Sequence, residues 1–268
     1  MRSPSSAGAP SILPRRDRIL IWTCLVLVSA LAWAYLVHLD RQMSASLQYD
    51  TKMAEMGMTL DKPWAAADMF FTFAMWAVMM VGMMAGTAAP VLLLFAAMRA
   101  GRGEPGVRLA VLTFGLGYIT AWVGFSACAA LAQWALHQAA MLSPAMVASS
   151  PILGGGILIA AGAYQLTPLK GACLRQCRSP LGFLMTNWRD GMQGALQMGW
   201  RHGVYCLGCC WALMCVLFAV GVMNLAWVAA IAAFVFVEKA VPRGRWVSRL
   251  SGAALCAWGL WLAWTVVS

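Results

Sequence analysis

Residues 201–221 read RHGVYCLGCCWALMCVLFAVG. A run of this length, apolar apart from its first two residues, suits one helix crossing a hydrocarbon core. It carries His202, Cys206, Cys209 and Cys210. At 3.6 residues per turn, offsets of 0, 4, 7 and 8 put those four side chains on one stripe, with Met198 and Met214 bordering it and Cys215 facing away. An imidazole and three thiols on one face of a buried helix make a donor set suited to a soft metal ion.

The rest of the chain surrounds that helix with others of its kind. Of 268 residues, 62% are hydrophobic and 10% charged, with a mean hydropathy of +0.74. A soluble domain has about 45–50% apolar and about 25% charged residues. Apolar segments recur at about 19–38, 69–98, 107–136, 151–169, 201–221, 224–241 and 247–266. The expected fold class is therefore all-α, a polytopic transmembrane bundle of seven spans. Its expected organisation is a cytoplasmic tail over 1–18 and a single transmembrane domain over 19–268, with an external loop at 39–66 and a Cys-containing cytoplasmic loop at 170–200. Ala32-Trp33-Ala34 loosely resembles a cleavage site. The apolar run before it, about 20 residues, exceeds the usual h-region of a signal peptide, so an uncleaved first helix is expected.

Charge sets the orientation. With the N-terminus inside, segments 1–18, 99–108, 170–201 and 238–249 hold 16 of the 19 basic residues against four acids, a net +12. The other side keeps Arg41, Lys52 and Lys62 against five acids, a net −2. Positive-inside asymmetry accounts for the whole surplus and points to the bacterial inner membrane. The basic pI therefore implies no nucleic-acid partner, and no nucleic-acid-binding motif accompanies it. The expected partners are the bilayer and a protein that donates or accepts metal.

Within the spans, Pro90 removes an amide donor and frees the carbonyl of Gly86, for which the Thr87 hydroxyl or a neighbouring helix is the expected partner. Gly115 and Gly117, and the small residues Gly154, Gly155, Gly156, Ala160 and Gly162, are expected to let helices approach closely.

Three more groups of soft donors stand apart from the stripe. Cys173 and Cys177 are spaced i, i+4, so one helical turn presents both thiols, and Lys170, Arg175 and Arg178 beside them favour thiolates. Met75, Met79 and Met83 recur at i, i+4, i+8, with Met80 and Met84 widening the face. Met53, Met56 and Met58 lie in the 39–66 loop. Methionine stripes are also ordinary core, but thioethers select Cu(I) over hard ions. Copper is thus the favoured ion, with zinc, which accepts Cys and His but gains little from methionine, second. Glu238 near the end of a span is either an interfacial residue with a snorkelling Lys239 or a charge partner for the thiols. Cys24, Cys128, Cys215 and Cys256 stand alone in apolar spans as buried hydrophobes. The thiols near the cytoplasmic side also allow a redox reading, with Cys206 paired to Cys173 or Cys177, and a packing reading with no metal. No haem-attachment, P-loop, zinc-protease or nucleophile-elbow motif is present, so no catalytic residue is assigned.

Between about residues 66 and 245 the chain resembles a bacterial family of predicted metal-binding integral membrane proteins. The resemblance rests on Trp76-x-x-Met79 with Met83-Met84 and Pro90, and on Lys170-x-x-Cys173-x-x-x-Cys177-Arg178-x-Pro180. It continues through Gly191, Gly194, Gly199, Gly203 and Cys206-x-Gly208-Cys209-Cys210-Trp211-x-x-Met214, then Gly221-Val222-Met223-Asn224 and Glu238-Lys239. The family has a proline soon after the paired methionines where this chain has Gly86, which shifts the expected kink. The resemblance implies metal binding, with copper handling as an expectation, and supplies no mechanism.

Overall fold

The computed structural model describes residues 13–56, 66–143, 146–241 and 244–267. Most of the expected tail (1–12) and Met58 lie outside the described residues. Among the described residues ten helices run in order: α1 Arg15–Glu55, α2 Ala66–Gly101, α3 Val107–Gln138, α4 Pro151–Gln165, α5 Pro168–Arg178, α6 Pro180–Asn187, α7 Gly191–Cys215, α8 Leu217–Val220, α9 Leu225–Ala240 and α10 Gly244–Val267. Among the described residues no strand forms beyond an isolated bridge between Leu142 and Ala148.

Helices cover all seven predicted segments, but among the described residues four are long and apolar enough to cross a membrane: Arg15–Met53, Ala66–Gly101, Val107–Gln138 and Gly191–Val220. A fifth is possible if α4 and α5, bent by 64° at Leu166-Thr167, count as one broken span. At 1.5 Å per residue the 16-residue α9 reaches only about 24 Å, short of a hydrocarbon core of about 30 Å. The 24-residue α10 is not among those four.

Two predicted loops are largely helical. Residues 39–56 contain no Gly or Pro to stop α1, and their Gln, Ala, Leu and Met favour its continuation to Glu55. Met53 and Met56 therefore lie on the last turn of α1 and just past it. The 170–200 segment holds α5, α6 and the start of α7. Prolines act as starts here: Pro180 opens α6, and Pro168, just ahead of the segment, lies in the first turn of α5 behind Thr167, whose hydroxyl accepts the Lys170 amide.

α3 lies along α7, α4 along α10, α2 against α3, and α1 on the outside of α2. Two of these seams need glycine. A Cβ on Gly117 would collide with the Leu196 carbonyl, and one on Gly199 with the Phe114 carbonyl, so α3 and α7 touch backbone to backbone. On the other side, a Cβ on Gly155 would fall 2.7 Å from the Gly259 carbonyl and one on Gly162 would fall 2.7 Å from the Gly252 carbonyl. Gly115 and Gly156, expected to do the same, face open space.

Large apolar side chains cover the outside as well as the core, including Leu112, Leu116 and Leu131 on α3 and Leu260, Trp261 and Trp264 on α10. Such an exterior suits hydrocarbon better than water. At one end, ion pairs Arg108–Asp17 (2.8 Å) and Arg102–Asp190 (3.6 Å) tie together three of the four segments read as cytoplasmic. α2 runs unbroken through Pro90, and the Thr87 hydroxyl bonds the carbonyl of Met84 (2.9 Å), not the freed carbonyl of Gly86.

Candidate metal centre

α7 presents the thiol stripe inward: Cys206, Cys209 and Cys210 are each 1% exposed and His202 is 3% exposed. The Cys209 and Cys210 thiols donate to the Cys206 carbonyl at 3.0 and 2.9 Å, an i−3 and i−4 pattern that gathers the three residues on one turn. From outside α7, the Tyr164 hydroxyl holds the Gly208 carbonyl at 2.5 Å. A Cβ on Gly208 would fall 2.7 Å from Cys173 Sγ and push that thiol aside.

α5 crosses this stripe and supplies the second thiol element. Cys177 Sγ lies 3.9 Å from Cys209 Sγ and neighbours Cys206, while Cys173 rests on Gly208. Two sulfurs bound to one ion at about 2.3 Å in trigonal or tetrahedral geometry stand about 3.8–4.0 Å apart. The Cys177–Cys209 separation matches that span. Among the described residues, no three of the His, Cys, Asp or Glu side chains are drawn together tightly enough to hold an ion as they stand. The thiols that bond the Cys206 carbonyl would have to turn and lose their protons to bind one.

Cys206 has two partners that sequence reasoning did not assign. Lys239 Nζ, from α9, sits 3.0 Å from Cys206 Sγ and 3.2 Å from the Thr87 hydroxyl, with Met84 Sδ at 4.0 Å. The Tyr118 hydroxyl lies 3.0 Å from the same sulfur. An ammonium only donates, so the sulfur is the acceptor and a thiolate fits it best. Lys239 is thus turned inward rather than snorkelling. A tyrosine in the middle of the apolar α3 needs a partner for its hydroxyl once buried, which is the signal that could have singled out Tyr118. Nothing in sequence separates Lys239 from an interfacial anchor.

The remaining predicted residues sort by place. Glu238 is fully buried and pairs with Lys170 at 2.7 Å, facing away from the thiols towards Ser248 at 2.5 Å. Lys170 is therefore committed to Glu238 instead of to its neighbouring thiols. Met84 reaches the site through Lys239, whereas Met75, Met79, Met83, Met198 and Met214 are buried in the general core. The His202 ring packs on Phe183 (4.9 Å between centroids) and Tyr118 (5.9 Å), and its buried Nδ1 has no hydrogen-bond partner among the described residues.

Residues 73–262, 190 of the 268, match the family described as PpoB2, copper chaperone. The chain belongs to this copper-chaperone family. The match spans α2 to α10 and so includes every thiol of the centre. No curated protein and no solved structure matches the chain.

Proposed function

We propose that the protein is a multi-pass membrane copper chaperone that carries Cu(I) at Cys206, Cys209, Cys210 and Cys177, with Cys173 and His202 completing or handing on the ion. The observation that carries this reading is the meeting of α5 and α7 thiols, 3.9 Å apart across two helices, within a copper-chaperone family match. In the ion-free protein the Lys239 ammonium balances the Cys206 sulfur. An arriving Cu(I) displaces the proton of one further thiol, so the ion, two thiolates and the retained Lys239 ammonium sum to zero in a setting where an unpaired charge is costly. Binding and release then exchange one monovalent cation for another, which suits delivery or sequestration better than permanent storage.

Copper over zinc follows from the soft donors. Met84 Sδ lies 4.0 Å from Lys239 Nζ, which itself sits 3.0 Å from Cys206 Sγ. Met84→Leu keeps the volume and should weaken Cu(I) about tenfold, the scale of groups that tune a site without forming it. Zn(II) affinity should stay unchanged, because zinc gains little from thioethers. Competition titrations of both ions against the variant test this, and equal effects on the two ions would remove the argument for copper.

The reading also places the N-terminus and the thiol centre on the cytoplasmic side of a bacterial inner membrane, with seven crossings in which the short α9 is shielded by its neighbours. Reporter fusions inserted between Met56 and Ala66, and after Ser268, should both signal from the outer side. A cytoplasmic signal from either would put the thiols in the wrong compartment or reduce the number of crossings.

A further inference from the structure

We infer that the buried Lys170–Glu238 pair consists of positioning residues that hold Cys177 against the α7 thiols. This rests on the copper-site reading above.

The pair sits 1% exposed on each side, with Lys170 Nζ 2.7 Å from one Glu238 oxygen and 2.9 Å from the other. Its surroundings are closed by hydrogen bonds. Lys170 also donates to Gln165, Ser248 donates to Glu238 at 2.5 Å, and Gln165 donates to Ser251 at 3.3 Å. The cluster therefore joins α4, α5, α9 and α10 at the 64° bend where the chain leaves α4. Buried ion pairs contribute little net stability compared with well-packed apolar side chains, and their attested use is to fix one geometry among several. The geometry fixed here is visible on both partners. Lys170 precedes Cys177 by seven residues, within 20° of two full turns, so the two lie on one face of α5. Glu238 directly precedes Lys239, whose ammonium meets Cys206. One ion pair thus sets the approach of α5, which supplies Cys177, and the register of α9, which supplies Lys239. α5 is only 11 residues long and follows a sharp bend; Cys173 on Gly208 and the buried Leu174 pack it, and the ion pair adds the polar tie to α9.

The test uses the full chain in nanodiscs and two readouts. The first is bridging of Cys177 to Cys209 by dibromobimane, a short bis-electrophile that joins neighbouring thiols, scored on linked peptides by mass spectrometry without any metal. The second is Cu(I) affinity. The double variant Lys170→Met with Glu238→Leu replaces the pair by apolar side chains of similar volume and should keep the thermal transition close to that of the parent. Its Cys177–Cys209 bridging and its Cu(I) affinity should each fall about tenfold or more, the scale of lost outer-sphere support. Lys170→Arg, which retains the charge and the reach, should restore most of the bridging. If the double variant does not fold, Glu238→Gln, which keeps one acceptor oxygen for Lys170 and Ser248 and removes the charge, is read in the same way. Bridging at the parental level in a folded variant would overturn the positioning role. Reduced bridging with unchanged Cu(I) affinity would leave the positioning role standing and overturn Cys177 as a copper ligand.

Discussion

Replacing Cys209 and Cys210 together by serine should reduce bound Cu(I) from about one equivalent to near zero, because soft ions hold to thiolates and not to hydroxyls. Both residues are buried on the inward stripe, and their small hydroxyl replacements can still donate to the Cys206 carbonyl. The helix should therefore persist while the donor set is lost. Cys215, at the C-terminal end of α7 and off the stripe, provides the comparison. Cys215→Ser should retain the full equivalent. Stoichiometric titration against a Cu(I) chelator measures both, and equal losses from the two variants would trace the effect to misfolding instead of ligand removal.

The largest effect on the fold should come from the seam between α3 and α7. A Cβ on Gly199 points at the Phe114 carbonyl, and neither backbone can yield without parting the helices. Gly199→Val should cost about 3 kcal/mol, the upper part of the usual range for overpacking. It should also pull Tyr118, which lies between Phe114 and Ala121 on the same seam, away from Cys206. Gly156→Ala, where nothing lies within 4 Å of the added carbon, should leave the thermal transition in place. Thermal unfolding of the two detergent-solubilised variants checks the contrast.

The sequence made the helical class and the thiol stripe legible because both depend on local periodicity. Apolar runs of about 20 residues and offsets of 4, 7 and 8 need no knowledge of neighbours. What periodicity does not carry is the pairing of elements. Cys177 meets Cys209 because α4 and α5 bend by 64°, a tertiary fact that Thr167-Pro168 permits without dictating its angle. Glu238 and Lys239 are adjacent, about 100° apart around α9, and no local signal decides which one faces the thiols. The structure assigns Lys239 to Cys206 and Glu238 to Lys170. Residues 39–55 of the expected 39–66 loop are helical for a related reason: a polar continuation of an apolar helix, without glycine or proline, looks like a loop by hydropathy and like a helix by propensity.

The methionine face shows the same division. Its i, i+4, i+8 spacing is plain in sequence and correctly marks a buried side of α2. Only the position of α9 separates Met84, beside the Lys239 ammonium, from Met75, Met79 and Met83, which fill the core.

The central claim is that Cu(I) is held by sulfur from two helices. X-ray absorption at the copper edge, on full-length protein loaded with one equivalent of Cu(I), tests it most directly. The account predicts a shell of about three sulfurs near 2.3 Å, comparable to other thiolate–metal bonds, that loses about one sulfur in Cys177→Ser. A shell dominated by nitrogen or oxygen, or a sulfur shell that Cys177→Ser leaves unchanged, would contradict it.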